Sequence, residues 1–195
     1  MKTFRIDDVS VNTNEEKLME MVSLLDRYYS HSRFLLGISP LVCDMSEYKD
    51  KRNERIFPSI FNALSDHRGF YKIDKCGVPD VISKLINTHG SKIELAGHGL
   101  IHVDHRLLTK EVQELSIVSS CNLVQAKTYI PPFNKWNKAT EEICKEFGIN
   151  LIKFEDGWRH LGYEPISDNT RSYYFHTHDF SIEQFTEVVS GVIKK

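Results

Sequence analysis

Short apolar runs alternate along the chain with longer amphipathic stretches, a pattern typical of an α/β protein with a largely parallel sheet. Residues 3–6 predict a first strand, and residues 14–28 predict a helix with Asn14 as its N-cap. Residues 33–38 predict a second strand, which Pro40 stops because proline cannot donate to a ladder, with Leu41 and Val42 extending its exit. The same alternation predicts further helices at 79–88, 109–126, 137–147 and 181–193, and further strands at 92–96, 128–130, 149–153 and 172–177.

The pattern breaks down between Cys43 and Gly77, where mixed charges precede a short apolar patch. We interpret residues 43–77 as a lid-like insertion into a single domain spanning 1–195, because long connections in compact domains are often functional. A solvated surface excursion is the alternative. Periodicity alone does not choose between a barrel and an open doubly wound sheet.

Composition narrows the classes of partner. The chain has 195 residues, 41% of them hydrophobic, and a formal net charge of -2, so it lacks the basic field of a nucleic-acid binder. Asp7 and Asp8 arrive before any apolar run of signal-peptide length, and no stretch is long enough to span a bilayer, which predicts a cytoplasmic protein without a transmembrane segment. The four cysteines form no CxxC pair and are expected to be reduced and structural.

The acid pair Asp7 and Asp8 directly follows the first predicted strand, and active sites of parallel α/β folds gather at the carboxyl ends of strands. Neighbouring residues of a regular strand point to opposite faces, so both carboxylates reach one site only if the backbone bends there. A solvated acidic turn is the alternative.

Two histidines, His98 and His102, follow another predicted strand at a spacing that places both on one face of a helical turn. Two imidazoles so placed can ligate one ion, and Asp8 is a candidate third ligand. His105 continues the run and is expected to be a surface residue. A chance HxxxH without metal is the alternative.

Near the carboxyl end, His176 and His178 lie two residues apart at the edge of the last predicted strand, and so on one side of it. One of them could reach the same site. Imidazoles that merely hydrogen-bond to backbone are the alternative.

Taken in order, these segments resemble the motif series of the polysaccharide deacetylases, the NodB-like or family-four carbohydrate esterases. Residues 4–8 resemble the first motif, residues 98–102 the second, residues 129–133 the third and residues 178–179 the last. The resemblance implies a distorted (β/α)7 barrel and one divalent ion held by Asp8, His98 and His102. Zinc is expected first, and nickel, cobalt or iron suit the same ligands.

The resemblance also implies roles for the remaining groups. Asp7 would act as the base and His178 as the general acid, with Pro132, Phe133, Trp158 and His176 against the substrate. The reaction would remove an N-acyl group, N-acetyl in the family, from a sugar, for example an intracellular intermediate of surface-polysaccharide synthesis.

The sequence departs from the family at three places. The third-motif arginine, which holds the catalytic aspartate in the family, is Ile130, so another cation must take that role or the base is tuned differently. Residues 156–158 stand in for an Asp and Trp motif at a shorter spacing, and His176 replaces the apolar residue beside the acyl group. Two other functions therefore stay open: a catalytically silent relative that binds a carbohydrate or a protein, and an amidase or deformylase acting on a small-molecule amide.

Overall fold

The computed structural model describes residues 1–43, 73–162, 166–167 and 169–191. Residues 44–72, which make up most of the predicted lid, lie outside the described residues, so the lid stays a prediction. The described helices and strands follow one another in chain order as β1 (Thr3–Val9), α1 (Glu15–Tyr28), β2 (Arg33–Ile38), β3 (Leu41–Cys43), β4 (Ile73–Cys76), α2 (Asp80–His89), β5 (Ile93–Gly97), α3 (Lys110–Leu123), β6 (Thr128–Tyr129), α4 (Lys138–Glu146), β7 (Asn150–Leu151), β8 (Arg159–His160), β9 (Ser172–His176) and α5 (Ile182–Ser190).

Seven of these strands form one sheet in the order β7-β6-β5-β2-β1-β9-β8, and every neighbouring pair is parallel. The sheet curls into the distorted (β/α)7 barrel that the motifs imply. Within the described residues the edge strands β7 and β8 do not pair with each other, so the barrel is open between them. All seven carboxyl ends lie at the same edge, which is where β1, β5 and β9 deliver the candidate site residues.

One prediction about the strands was wrong, and two strands were not predicted, β8 and β4, of which β4 lies inside the predicted lid at 43–77. Leu41 and Val42 do not extend β2; they begin β3, which pairs antiparallel with β4 in a separate ribbon. Strand β8 was missed because its two residues, Arg159 and His160, are too few to set up a recognisable alternation.

The alternation of side chains along β1 divides the interior into two layers. Phe4 and Ile6 face outward into the main apolar core, where they meet the buried faces of the surrounding helices. Arg5 and Asp7, one residue out of phase, face the inside of the barrel. That inner space also holds a small apolar cluster of Leu35, Ala96, Ile130 and Trp158.

The helices begin where the sequence predicts. The Asn14 side chain accepts from the Lys17 backbone N–H, which satisfies one of the unpaired donors at the start of α1. Asn137 and Ser181 cap α4 and α5 in the same way. Cys121 and Cys144 are free and buried, as expected for structural thiols. Among the described residues, no helix is long and apolar enough to cross a membrane.

Candidate functional site

The end of β1 carries the bend that two adjacent carboxylates need. The register between β1 and β2 shifts between Ile6 and Val9, and Asp8 has a φ of 60°, in the left-handed region that non-glycine residues rarely adopt. Both Asp7 and Asp8 therefore line the same groove at the carboxyl edge of the sheet.

Asp8, His98 and His102 converge on one point. Asp8 Oδ1 lies 3.0 Å from His98 Nε2 and 2.9 Å from His102 Nε2. Burial raises the pKa of Asp8, but hydrogen bonds from His102 and His98 outweigh burial and hold that pKa well below its ordinary value. His98 Nδ1 donates to the Ile130 carbonyl at 2.8 Å, so Nε2, which here lies against Asp8, is the nitrogen that would bind an ion. Two imidazole nitrogens and one carboxylate oxygen form a donor set that fits a zinc-like ion.

The segment between the two histidines is a bend rather than a turn of helix, so that part of the prediction was wrong. Gly99 sets its shape: its φ is +79°, and a Cβ there would lie 2.8 Å from the Ile101 carbonyl oxygen. The two rings nevertheless come together, with centroids 5.0 Å apart.

His105 is fully buried, so its prediction as a surface residue was wrong. Burial and the neighbouring His98 lower the pKa of His105 to about 3, so its ring is neutral. Tyr129 O–H donates to its Nδ1, and its Nε2–H donates to Ser116 Oγ at 3.0 Å. Ser116 Oγ also accepts from the Leu100 backbone N–H at 2.9 Å. His105 is thus linked through Ser116 to the bend at residues 98–102, which we call the histidine bend.

Asp7 is paired with a cation on its own strand. Arg5 Nη2 donates to Asp7 Oδ2 at 2.8 Å, and the two side chains are 0% and 2% exposed. The same nitrogen donates to Asn134 Oδ1. Ile130, at the third-motif arginine position, is fully buried and apolar, so the cation beside Asp7 comes from β1 instead.

The end of β9 supplies a second hydrogen-bonded group. Asp179 Oδ2 accepts from the His176 backbone N–H at 2.7 Å, and lies 3.0 Å from His176 Nδ1 and 3.1 Å from His160 Nε2. Burial raises the pKa of Asp179, but the hydrogen bonds from His176 outweigh it and lower that pKa to about 2. These three groups also lie close enough to offer a second metal-ligand set.

The orientation of His176 directs its other nitrogen towards the first site. His176 Nε2 lies 3.7 Å from Asp8 Oδ2. Burial lowers the pKa of His176, but the hydrogen bond with Asp179 and the charges of Asp8 and Asp7 raise it above its ordinary value. His178, the residue predicted as general acid, is 68% exposed at the rim, and its Nε2 is 3.7 Å from Asp179 Oδ1.

The groove over these residues has a volume of about 460 Å³ and an open mouth. Phe133 forms part of its wall, 54% exposed, with its ring 4.4 Å from that of His102. Phe133 and Asn134 have φ values of 58° and 55°, two consecutive residues in the left-handed region. The described lining residues are Asp7, Asp8, His98, His102, Phe133, Asn134, Lys135, Tyr174, His176 and His178.

Two of the predicted substrate-binding residues are not part of this lining. Pro132 is buried beneath the Phe133 turn, and Trp158 is 7% exposed and packs inside the barrel. Asp156, beside Trp158 in sequence, accepts from the Lys153 backbone N–H at 3.0 Å and caps a local turn.

Comparison with known proteins gave matches at the level of structure only: no family model and no curated sequence matches this chain. A family-four carbohydrate esterase from Streptomyces lividans, solved with acetate, is 9% identical with a TM-score of 0.57, over 98% of this chain and 88% of that one. The peptidoglycan deacetylase PdaC from Bacillus subtilis is 11% identical with a TM-score of 0.57, over 98% and 82% of the two chains. The chain has the fold of the family-four carbohydrate esterases.

That esterase fold includes a protein without activity. A family-four pseudoenzyme from Bacillus anthracis is 9% identical with a TM-score of 0.58, and the match covers 98% of this chain and 60% of the pseudoenzyme. The resemblance predicted from the motifs is therefore confirmed for the fold, which by itself does not establish catalysis.

Sequence reasoning passed over several residues of the groove and its support. Arg5 carries a signal that was available, since a residue two positions before Asp7 on a strand faces the same side. Asp179 follows His176 by three residues, a spacing typical of local hydrogen bonding. Asn134 and Tyr174 carry no such signal, because their place in the groove depends on how distant segments pack.

Proposed function

We propose that this chain is a metal-dependent hydrolase that removes an N-acyl group from a sugar. One observation carries the proposal: the side chains of Asp8, His98 and His102 converge in the groove. The buried carboxylate of Asp7 and the imidazole of His176, from adjacent strands, line the same groove. Asp7 and His176 are register partners across β1 and β9, so a substrate over Asp8 would have one on each side.

Asp8, His98 and His102 would hold the ion, with the groove side left open for water and substrate. When bound there, a divalent ion lowers the pKa of a water and polarises an acyl carbonyl. Zinc is the first candidate, and nickel, cobalt and iron suit two nitrogens and one oxygen equally.

Asp7 would accept the proton of the attacking water. Arg5 occupies Oδ2, while Oδ1 has no hydrogen-bond partner among the described residues and is the free acceptor. His176 would give a proton to the departing amine. Asp179 accepts from the Nδ1 side of that ring, so Nε2 faces the groove. Among the described residues, no hydrogen bond holds the exposed His178 towards Asp8.

The groove supports a sugar as the substrate. The exposed Phe133 ring beside His102 offers an apolar face for a pyranose ring, and polar groups surround it. The proteins of this fold include a deacetylase of peptidoglycan. The acyl group is proposed as acetyl first, although His176 makes that side of the groove polar. A cytoplasmic location and an intracellular sugar intermediate stay predictions.

Two other functions remain as outcomes of the test. A silent relative would bind a carbohydrate or a protein, as the pseudoenzyme of this fold gives precedent for lost activity. The chain nevertheless retains a candidate base, a metal-ligand set and a positioned histidine together, and a silent binder would not need all three. An amidase or deformylase would differ only in the substrate it admits.

The decisive experiment follows metal and product on the same preparations. Purified wild type is stripped with a chelator and reloaded with zinc, nickel, cobalt or iron(II). It is then assayed for free amine and acetate with oligomers of N-acetylglucosamine and small N-acetyl amides, and for free amine and formate with small N-formyl amides. We expect one ion per chain and amine release that depends on it, with neither in His98→Ala or His102→Ala. Equal metal content in all three proteins would refute the ligand set, and an ion held without amine release would favour the silent relative.

A further inference from the structure

Arg5 is among the largest fully buried side chains of the described structure, and it carries a positive charge. Its guanidinium lies inside the barrel between two aromatic faces, with Cζ 5.1 Å from the Trp158 ring centroid and 4.8 Å from that of Tyr174. Stacking of this kind favours arginine over lysine.

The interior of the barrel has no structural need for this charge. Burying an ion pair costs desolvation energy that apolar side chains would avoid, and the neighbouring side chains of Leu35, Ala96, Ile130 and Trp158 are apolar. Only one of the three guanidinium nitrogens of Arg5 donates hydrogen bonds to described residues. Among the described residues its Nε and Nη1 have no partner, while Nη2 donates to Asp7 and Asn134, which both line the groove.

The pairing leaves the two oxygens of Asp7 in different situations. Oδ2 is held by Arg5, whereas Oδ1 has no described partner and would lie 3.2 Å from a Cβ placed on Gly37. A glycine on the neighbouring strand thus leaves room beside the free oxygen. A carboxylate fixed through one oxygen presents the other in a defined direction.

We propose that Arg5 is a positioning residue, which holds Asp7 by Oδ2 so that Oδ1 faces the water it deprotonates, and which ties Asp7 to the groove wall through Asn134. This inference rests on the proposed function, since it assigns Arg5 a role that acts through the base. Arg5 itself touches no substrate.

A double-mutant cycle on kcat separates this role from a merely structural one. Arg5→Met, Asp7→Asn and the double variant are compared with wild type, with metal content measured on each. If Arg5 acts through Asp7, Arg5→Met lowers kcat by about 10- to 100-fold in wild type, the usual cost of losing such a partner. In the Asp7→Asn background it lowers kcat by less than about twofold, because the oriented base is already gone. KM and metal content should change little in both backgrounds.

Arg5→Met leaves the Asp7 charge buried without its partner, which destabilises proteins strongly. The cycle is therefore also run with Arg5→Lys, which keeps a cation beside Asp7 but loses the planar stacking geometry. The Arg5→Met/Asp7→Asn double variant leaves neither charge of the pair buried alone. Arg33→Met, an exposed arginine at the amino end of β2, is the control and should keep wild-type kcat.

Equal losses of kcat in both backgrounds would overturn the inference, as would a wild-type kcat in Arg5→Met. These results differ from failure of the proposed function, in which wild type itself releases no amine and the assignment of Arg5 falls with it.

Discussion

Asp7 and Asp8 have the same chemistry and are adjacent in sequence, yet their surroundings differ completely. Asp8 is 26% exposed and lies against two imidazoles, whereas Asp7 is 2% exposed and lies against a guanidinium. A metal ion needs an accessible carboxylate with other metal ligands close by, as Asp8 has. A general base needs a carboxylate oxygen that is free to accept a proton, as Asp7 has. The environment of each carboxylate therefore supports a different role.

Substitution of each acid by its amide should separate those roles. Asp7→Asn keeps the volume but removes the proton acceptor, so metal should remain while kcat falls by about 10²- to 10⁴-fold. Asp8→Asn should lose metal and activity together, because an amide is a poorer ligand than a carboxylate. Metal analysis and amine release on the same samples check both. Wild-type turnover in Asp7→Asn would contradict the assignment of the base.

The two histidines at the end of β9 are distinguished by their exposure. His176→Gln should lower kcat by about 10²-fold or more, because it removes the proton donor that faces Asp8. His178→Gln, at a side chain 68% exposed, should keep kcat within about threefold of wild type. Steady-state kinetics on a sugar with a poor leaving amine measure both. The reverse pattern would restore His178 as the acid.

Single residues also mark the limit of what the sequence predicts. The spacing of His98 and His102 and the strand before Asp8 carried enough information to bring those three residues together as a hypothesis. His105 did not, because its burial depends on Ser116 and Tyr129, which are distant in sequence. A histidine that supports a site and one that lies on the surface have the same pattern in a single sequence.

At the scale of elements, the long strands and capped helices were predictable, because each presents an apolar face with its own period. Strand β8 has two residues, too few for a period, and lies at a sheet edge. Both carboxylates could reach one site only if the backbone bends at Asp8. The sequence itself does not show that bend, because no residue pattern identifies an aspartate with a left-handed φ.

The histidine bend depends on Gly99, and this gives a test at the element scale. Gly99→Ala should weaken metal affinity by about 10- to 100-fold, because the new Cβ, 2.8 Å from the Ile101 carbonyl, displaces the bend that carries His102. Gly148→Ala is the matched control, since its φ is +64° with no atom within 4 Å of the new Cβ. The control should lose stability but keep metal affinity, as measured by competition with a chelating dye. Equal affinities in the two variants would show that the bend tolerates the methyl group.

For the whole molecule, the metal site predicts a gain in stability on binding. A ligand that binds only the folded state stabilises it by about 2.7 kcal/mol at 100 times Kd. For a domain of this size that raises Tm by roughly 5–10 °C. Thermal unfolding with and without zinc measures the shift, and magnesium, which prefers oxygen ligands, is the control ion. An equal shift in His98→Ala would place the bound ion elsewhere.

The fold as a whole was more predictable than the activity. The order of the motifs predicted the barrel fold, and solved structures at 9–11% sequence identity share that fold. The same fold is found in a pseudoenzyme, so the architecture does not determine whether a member is active. That depends on a few side chains. One of them, Arg5, lies within the first motif at residues 4–8, but the motif assigns it no role.

The pairing partners of the two proposed proton-transfer residues are near neighbours in sequence: Arg5 precedes Asp7 by two residues, and Asp179 follows His176 by three. Each pair is therefore inherited as a single short segment, and recombination or insertion between segments leaves it intact. The Phe133 wall belongs to neither segment. A change at Phe133 that keeps Asn134, which accepts from Arg5, would therefore alter the molecule recognised and leave both proton-transfer pairs in place.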